Sequence, residues 1–231
     1  MKVSVIMPVY NADTRHKFIT KAIDSFLNQD CDKELIIVND GSTDNTENSI
    51  ANYLDIEEIV YIKQDNAGQG NAENTGIKRA TGELITFLDD DDLLEDDSLQ
   101  NRMNAFEVST ECVIGRYYEI NPSSIKIAPH PQSEDELKES IWRTPGIVAS
   151  QALMWRKFIH ERIGYISEDI SSVEDYEWKL KVITECNIKL INDFVYKYRY
   201  HPNMRSDKHR RSGLLDKNKA IVLKRLTEKY K

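Results

Sequence analysis

The chain has 231 residues, of which 40% are hydrophobic and 30% are charged, and its formal net charge is −8. This composition is typical of one globular domain, and the chain is short for two. No apolar run reaches the roughly 20 residues that cross a bilayer, and the apolar start meets Pro8 and Asn11 too early for a signal peptide. The three cysteines are widely spaced and odd in number, which argues against a disulfide framework and favours a reducing cytosol.

The first ninety residues repeat the order apolar strand, turn and helix. Strands are predicted at Val3–Met7, Glu34–Val38, Ile59–Ile62 and Leu84–Leu88, and helices over Phe18–Leu27, from about Thr43, and over Gly68–Ala80. Continuous β-branched runs between helices predict an α/β fold with a mostly parallel sheet covered on both faces. Because such sheets bind ligands beyond the carboxyl ends of their strands, the loops after the first, second and fourth strands are the candidates for a site.

The second half of the chain has a less regular pattern and no linker that would divide it. We expect a strand at Cys112–Tyr118, a polar excursion over Pro122–Glu136, a helix over Val173–Cys186, short strands at Lys189–Ile191 and Val195–Tyr200, and a closing amphipathic helix over Gly213–Tyr230. The chain is therefore predicted to form a single domain.

Two of the three candidate loops carry polar residues with more than one interpretation. The first strand runs into Pro8-Val9-Tyr10-Asn11, a rigid turn with free backbone groups. The second ends at Asp40, where a strand becomes a helix, so that its carboxylate is placed to accept hydrogen bonds from a base or a ribose. The same segment, taken alone, is equally typical of an ordinary helix N-cap.

The loop after the fourth strand is the most informative, because four carboxylates, Asp89 to Asp92, directly follow apolar residues. These carboxylates repel one another unless cations offset their charge. Ligand sets made only of oxygen suit Mg²⁺ or Mn²⁺, which are often shared between carboxylates and substrate phosphates. The alternative is a solvated acidic helix start, which the helix dipole favours.

Together the three loops resemble the family-2 glycosyltransferases, which have the GT-A fold. The matching text is VSVIMPVYN, then ELIIVNDGSTDNT, then TGELITFLDDDDLL, in this order and at similar spacing. The resemblance is strong over residues 1–95 and looser, but continuous, to about residue 206. It implies a GT-A catalytic domain over 1–206, with a nucleotide-binding half (1–95), an acceptor-side half (96–206) and a basic C-terminal helix (207–231).

The resemblance also implies roles for residues of the donor site. The loop expected to line the nucleoside comprises Pro8, Val9, Tyr10 and Asn11. Asp40 matches the carboxylate that reads the base, and Asp89 and Asp91 match the two acids of the Asp-x-Asp motif, with Asp90 between them beside the nucleotide. In that motif the second acid binds Mn²⁺ or Mg²⁺, and the first lies by the ribose and the metal.

On the acceptor side, Glu174-Asp175 resembles the family's Glu-Asp motif, in which the Asp is the general base. His201 matches a histidine that binds the metal in several relatives, and Arg205 would approach the diphosphate. Aromatic rings stack on sugars, which makes Trp142, Trp155 and Tyr165 candidates for acceptor contact, although each would equally fit the core. Glu174 is a further candidate contact.

One position departs from the pattern of the family. Many relatives have Ala-Arg-Asn where this chain has Ala72-Glu73-Asn74, so an anion replaces a cation expected near the donor. Lys63, Lys78 and Arg205 are the candidates to compensate for it. Asn39 in place of a frequent Asp is a milder change.

The function that the resemblance implies is inverting transfer of a sugar from a nucleoside-diphosphate donor, a UDP-sugar first, to an acceptor hydroxyl. The expected setting is bacterial surface-polysaccharide assembly on a saccharide or lipid-linked acceptor; a protein or modified-nucleic-acid acceptor is the alternative. Two other classes stay open, a sugar nucleotidyltransferase and a non-catalytic nucleotide- or sugar-binding module. The former would be expected to have a Gly-rich, basic first loop, and the latter would not need both Asp175 and the acidic run.

The C-terminus differs from the rest of the chain in charge. Residues 197–231 hold twelve Lys and Arg against three Asp and Glu. This asymmetry predicts either contact with an anionic surface, such as the inner face of the plasma membrane, or a solvated helix that packs on the domain. No stable nucleic-acid partner is expected, and the predicted location is cytoplasmic, with peripheral membrane attachment. The cations that would make the contact are Lys208, Arg210, Arg211, Lys217, Lys219, Lys224 and Arg225.

Overall fold

The first half of the chain forms four parallel strands with helices between them. The computed structural model describes residues 1–170, 173–202, 204 and 212–229. The elements of this half are β1 (Val3–Val9), α1 (His16–Leu27), β2 (Lys33–Asp40), α2 (Thr46–Ile50), β3 (Ile59–Gln64), α3 (Gln69–Arg79) and β4 (Leu84–Phe87). β1 pairs with β2 and β4, and β2 pairs with β3, all in parallel. The predicted α/β architecture is therefore confirmed for this half.

Helix α2 begins at Thr46, three residues later than predicted. The Asp44 carboxylate accepts a hydrogen bond from the backbone N–H of Thr46, and the Asn11 side chain accepts one from the N–H of Thr43. These side chains compete for backbone groups that a longer helix would use. The polar turn thus stays outside the helix and joins the loop after β1.

The second half extends the same sheet with strands of mixed direction. Its elements are β5 (Leu93–Leu94), α4 (Ser98–Asn104), β6 (Cys112–Asn121), β7 (Ser124–Ile127), α5 (Glu134–Ser140), β8 (Leu153–Arg156), α6 (His160–Ile163), α7 (Glu174–Glu185), β9 (Ile188–Arg199) and α8 (Leu214–Lys229). Within the described residues the sheet has nine strands in the order β3-β2-β1-β4-β8-β6-β9-β5, with β7 beside β6. β8 is antiparallel to both β4 and β6, whereas β9 runs parallel to β6.

Two predictions for this half are wrong. The segment 122–136 is not only a polar excursion, because it contains β7 and the start of α5, whose N-cap Ser133 accepts a hydrogen bond from the Glu136 N–H. The two short strands predicted after α7 are one strand, β9. The polar residues Asn192 and Asp193 interrupt its apolar pattern, and the pairing with β6 shifts register around Arg116, so that the strand continues past them.

Apolar side chains pack on both faces of the sheet. Alternate residues of a strand point to opposite faces. Accordingly, Ile6 belongs to the core cluster that contains side chains of α3 and α7, whereas Val5 and Met7 belong to the cluster that contains side chains of α1. The approach of α3 to β1 is close, because a Cβ added at Gly76 would lie 2.4 Å from the Ile6 side chain. Burial on both faces explains the continuous apolar runs of the parallel strands.

Helix α8 packs on the domain through Asn218, Val222 and Leu226, which are buried. Arg225 pairs with Asp169 at 2.7 Å, and Lys229 pairs with Glu185 at 2.7 Å. This is the packed-helix alternative of the sequence analysis, although Lys217 and Lys224 stay exposed. Among the helices of the described residues, none combines the length and the apolarity that crossing a bilayer requires.

Candidate active site

The carboxyl ends of β1, β2 and β4 border a cavity of about 1260 Å³. The cavity is large enough for a nucleotide and a second substrate, since drug-sized ligands occupy roughly 300–1,000 Å³. The three candidate loops supply one part of its wall, and the N-terminus of α7 supplies another. Helix α8 contributes Leu215, Asp216 and Lys219. The sequence therefore located this edge of the sheet correctly, but did not predict that α8 lines it.

The loop after β1 is joined to the loop after β2. All four residues predicted to line the nucleoside, Pro8, Val9, Tyr10 and Asn11, border the cavity. Asn11 adopts a left-handed backbone conformation with φ of 48°, and its N–H donates to Ser42 Oγ at 3.0 Å. Its side chain in turn accepts from the Thr43 N–H. Tyr10 is 47% exposed, which leaves its ring available to a ligand.

Asp40 lines the cavity and holds the loop that leads into α3. Its Oδ1 accepts from the Ala67 N–H and from Gln64 Nε2, and its Oδ2 accepts from the Gly68 N–H, at 2.8–2.9 Å. Gly68 has a φ of 92°, a conformation that favours glycine. The structure thus gives Asp40 a positioning role that the sequence did not indicate, and base reading stays a prediction.

The acidic run after β4 places three carboxylates around one point. Asp89, Asp91 and Asp92 each offer an oxygen, and these oxygens lie within 4.8 Å of one another. Asp89 Oδ2 accepts from Gln151 Nε2 at 2.6 Å, whereas Asp89 Oδ1 is buried and has no hydrogen-bond partner among the described residues. A buried oxygen without a donor is costly unless a cation or ligand meets it. The oxygen-rich set therefore fits Mg²⁺ or Mn²⁺.

Asp92 is the member of this run with a structural role. Its Oδ2 accepts from Tyr196 Oη at 2.9 Å and its Oδ1 from the Arg199 N–H at 2.6 Å, which ties the run to β9. Burial, followed by the charge of Asp91, raises the pKa of Asp89 and of Asp92 well above the usual range. Added positive charge at this point would relieve the repulsion that these shifts reflect.

Asp90 is paired with Arg15, a residue that the sequence analysis missed. Arg15 Nη2 lies 2.8 Å from Asp90 Oδ2 and also donates to the Tyr10 carbonyl. Burial and the Asp91 charge raise the pKa of Asp90 to about 6, although Arg15 opposes this shift. Because 75 residues separate the two partners, no local pattern in the sequence indicates the pair. Arg15 lines the cavity and joins the first loop to the third.

His201 lies beside Asp91, and its role as a metal ligand stays a prediction. Its Nε2 is 2.7 Å from Asp91 Oδ2, and its ring contacts that of Phe18 with 5.3 Å between centroids. Arg199 Nε donates to the backbone carbonyl of Asp91 at 2.6 Å, and its guanidinium group lies over the ring of Phe18. Arg205 lies outside the described residues, so its predicted contact with the diphosphate stays a prediction.

The N-terminus of α7 brings Glu174 and Asp175 to the same cavity as the acidic run. Glu174 is buried, whereas the Asp175 side chain is 40% exposed. Ser150 Oγ donates to Asp175 Oδ2 at 2.9 Å, and Lys179 Nζ lies 3.7 Å from the same oxygen. Burial lowers the pKa of Lys179, and the Asp175 charge opposes this shift. The spacing of four residues between Asp175 and Lys179 is a signal that the sequence analysis overlooked.

The Glu73 side chain is buried under the site. Gln69 Nε2 donates to its Oε1 at 2.9 Å, while its Oε2 has no hydrogen-bond partner within the described part of the chain. Burial, then the charges of Asp89 and Asp175, raise the pKa of Glu73 well above its usual range. Lys63 pairs with the exposed Glu47 and does not border the cavity, and neither does Lys78.

The aromatic candidates for acceptor contact lie elsewhere. Trp155 is fully buried and packs against Phe87 and Trp178, with its Nε1 donating to His160, so it belongs to the core and the acceptor role predicted for it is wrong. Trp142 packs at the edge of the core and does not border the cavity. Tyr165 lines a second, smaller cavity instead.

Comparisons with known proteins agree with this geometry. The family model described as Glycosyl transferase family 2 matches residues 4–164. Minor teichoic acid biosynthesis protein GgaB of Bacillus subtilis (strain 168) is 41% identical over 109 residues, covering 45% of this chain and 12% of GgaB. The crystal structure of S. aureus TarS 1-349 in complex with UDP-GlcNAc superposes with a TM-score of 0.72 at 23% identity, covering 90% of this chain and 61% of that one.

A second solved structure, mannosyltransferase PcManGT from Pyrobaculum calidifontis in complex with GDP-Man and Mn²⁺, has a TM-score of 0.64 at 20% identity, covering 88% of this chain and 57% of that one. These likenesses establish the GT-A fold. The chain spans less than two thirds of the length of the first curated relatives it matches. Since the family model covers more than half of the sequence, the chain belongs to glycosyl transferase family 2.

Proposed function

We propose that the chain transfers a sugar, with inversion, from a nucleoside-diphosphate donor to an acceptor hydroxyl. The observation that carries this proposal is that the Asp175 carboxylate and the acidic run Asp89–Asp91 border the same cavity. A partly exposed carboxylate suits a general base, and clustered carboxylates suit a cation that meets a diphosphate. One cavity thus holds a group suited to the acceptor hydroxyl and groups suited to the diphosphate of the donor.

For the donor, the proposal is a UDP-sugar. The structure of TarS 1-349 in complex with UDP-GlcNAc supports it, as does the match of the first three loops to the family pattern. In this chain Tyr10 and the loop tied by Asn11 and Asp40 would enclose the nucleoside. Arg15 and Arg199 border the same cavity, and both donate to the acidic run: Arg15 to the Asp90 carboxylate and Arg199 to the Asp91 carbonyl. They, rather than Lys63 or Lys78, would offset the missing family cation at Glu73.

The cofactor that we propose is Mn²⁺ or Mg²⁺, held by Asp91 and Asp89 with His201 beside them. The Mn²⁺-containing PcManGT structure supports this choice. When bound, such a cation neutralises negative charge that develops on a leaving diphosphate. Asp92 is less suited as a ligand, because Tyr196 and Arg199 already donate to both of its oxygens.

In the proposed reaction Asp175 takes the proton of the acceptor hydroxyl as that oxygen forms a bond to the anomeric carbon. The bond between this carbon and the phosphate oxygen breaks on the opposite side, and the electron pair leaves with the nucleoside diphosphate. Configuration at the anomeric carbon is therefore inverted. No protein nucleophile takes part in these steps.

For the setting, we propose surface-polysaccharide assembly on a saccharide or lipid-linked acceptor, with a protein or modified nucleic acid as the alternative. The likeness to GgaB, a minor teichoic acid biosynthesis protein, supports the first. Residues 1–95 would serve as the nucleotide-binding half, residues 96–206 as the acceptor-side half and residues 207–231 as a basic helix. The proposed location is the cytoplasm, at the inner membrane face.

The proposal is tested by measuring donor hydrolysis and transfer across UDP- and GDP-sugars with Mn²⁺, and by determining the anomeric configuration of the product by NMR. We expect one donor class to turn over with inversion. Asp175→Asn keeps the shape of the side chain but removes its basicity, so kcat should fall by at least about a hundredfold while nucleotide affinity is kept. Retention of configuration, or normal turnover by Asp175→Asn at saturating donor, would contradict the mechanism.

A further inference from the structure

Lys179, the cation beside Asp175, lies on the same helix and is buried. Lys179 is 3% exposed and follows Asp175 by four residues in α7, one turn along the same face. Its ammonium group donates to the Val148 carbonyl at 2.9 Å and to Ser150 Oγ at 3.3 Å. A buried lysine is costly to maintain unless its donors are used, and here the ammonium group contacts the segment 148–150 and Asp175.

The contacts of Lys179 and Ser150 converge on one oxygen of Asp175. Ser150 Oγ donates to Oδ2 at 2.9 Å, and Lys179 Nζ lies 3.7 Å from Oδ2. Within the described residues, Asp175 Oδ1 accepts no hydrogen bond. The two oxygens of this carboxylate are therefore not equivalent: one is held by the protein, and the other is left to a substrate.

We propose that Lys179 and Ser150 are positioning residues that hold Asp175 through Oδ2, so that Oδ1 is the oxygen that takes the proton of the acceptor hydroxyl. This inference rests on the proposed function, in which Asp175 is the base. Lys179 fixes Ser150 by a hydrogen bond, and Ser150 fixes Asp175 by another. A carboxylate on a helix end would otherwise rotate about its side-chain torsions, and a general base must stay within hydrogen-bond reach of its proton.

The chain offers a matched control for this role on the same helix. Lys181 pairs with Glu177 at 3.0 Å, also with a spacing of four residues, and its side chain is 17% exposed. It does not border the cavity. Lys179→Met and Lys181→Met therefore remove the same charge from the same helix, but only the first removes a contact with Asp175.

The test is a double-mutant cycle between Lys179→Met and Asp175→Asn, with kcat and the KM for donor measured at saturating acceptor. We expect Lys179→Met to lower kcat about tenfold or more, because charge-assisted hydrogen bonds contribute about 1.5 kcal/mol or more. The KM for donor should stay unchanged. In the Asp175→Asn background the same substitution should change kcat less than about twofold, since coupled residues are not additive. Lys181→Met should change kcat less than about twofold in both backgrounds.

An equal loss of kcat from Lys179→Met in both backgrounds, or no loss in the wild type, would overturn the proposal. If Lys179→Met does not give a cooperative thermal transition, Ser150→Ala replaces it in the cycle and is expected to show the same coupling. Wild-type kcat in Asp175→Asn would instead reject the proposed function itself. Impaired Asp175→Asn combined with an additive Lys179→Met would reject only the positioning role.

Discussion

The two ends of the parallel strands use buried carboxylates in opposite ways. At the amino-terminal edge, Glu34 accepts hydrogen bonds from Ser4 Oγ, the Thr81 N–H and hydroxyl, and Lys2 Nζ, at 2.5–3.1 Å. Burial alone would raise its pKa, but these donors lower the pKa of Glu34 to about 2. The Glu34 carboxylate is thus stabilised by donors of the protein itself, and its hydrogen bonds join β1, β2 and the segment that leads into β4.

At the carboxyl edge, Asp89, Asp90 and Asp92 have raised pKa values, because burial and the charges of neighbouring acids outweigh the few donors around them. Arg15 offsets one of them, and Asp89 Oδ1 has no donor in the described part of the chain. The same functional group, a buried carboxylate, thus stabilises the fold at one edge and opposes it at the other. This contrast is expected if the second edge holds the proposed cation and diphosphate, at the expense of stability.

Asp91→Asn is the change for which this comparison predicts the largest effect. It removes a charge that the proposed cation needs, so kcat should fall by about a thousandfold. Because repulsion with its acidic neighbours is relieved, the melting temperature should stay equal or rise. Asp96→Asn, an exposed acid shortly after the same run, is the control and should leave both quantities unchanged. Full turnover in Asp91→Asn would contradict the proposal that the carboxylates of this edge hold a cation needed for catalysis.

Glu34→Gln is predicted to show the opposite pattern, with lost stability and intact catalysis. The folded-state pKa of about 2 lies below the ordinary value of 4.5, so the stabilisation is present above pH 4.5 and is lost as pH falls towards 2. A shift of this size corresponds to about 3 kcal/mol. Urea unfolding of wild type and variant at pH 7 and pH 3 measures it. Equal differences in the free energy of unfolding at both pH values would contradict the assignment.

A smaller effect is expected at α8, which reaches the carboxyl edge through Leu215 and Lys219. If its exposed cations meet an anionic surface, replacing Lys217 and Lys224 by Glu should weaken binding to anionic vesicles at least tenfold, given about 1 kcal/mol per cation. The control is the same pair of substitutions at Lys17 and Lys21, which are exposed on α1. Co-sedimentation at low and high salt measures the binding. Equal, negligible binding to anionic and neutral vesicles at low salt would leave α8 as a packing element only.

The sequence predicted the fold of the first half well because its information is local. Each parallel strand is a continuous apolar run, and the acids Asp89–Asp92 follow one of these runs directly, so their place at the carboxyl edge follows from the sheet. Other contacts at the site join residues that are far apart in the sequence. Arg15 meets Asp90 across 75 positions, and Ser150 meets Asp175 across 25. Neither contact produces a periodic pattern in the sequence. Trp155 is an aromatic residue that the sequence made a candidate for stacking on a sugar, but its side chain lies in the core.

We propose that the carboxyl edge is a cation-dependent donor site, which makes nucleotide affinity the property that should respond most strongly to the metal. Calorimetric titration of UDP and of GDP into the wild-type protein should be compared in Mn²⁺ and in EDTA, with Asp91→Asn beside it. We predict that the nucleotide that binds does so at least tenfold more tightly with Mn²⁺, and that Asp91→Asn loses this difference, since one cation contact of about 1.4 kcal/mol or more is removed. Equal affinity in Mn²⁺ and EDTA for both nucleotides would contradict the account.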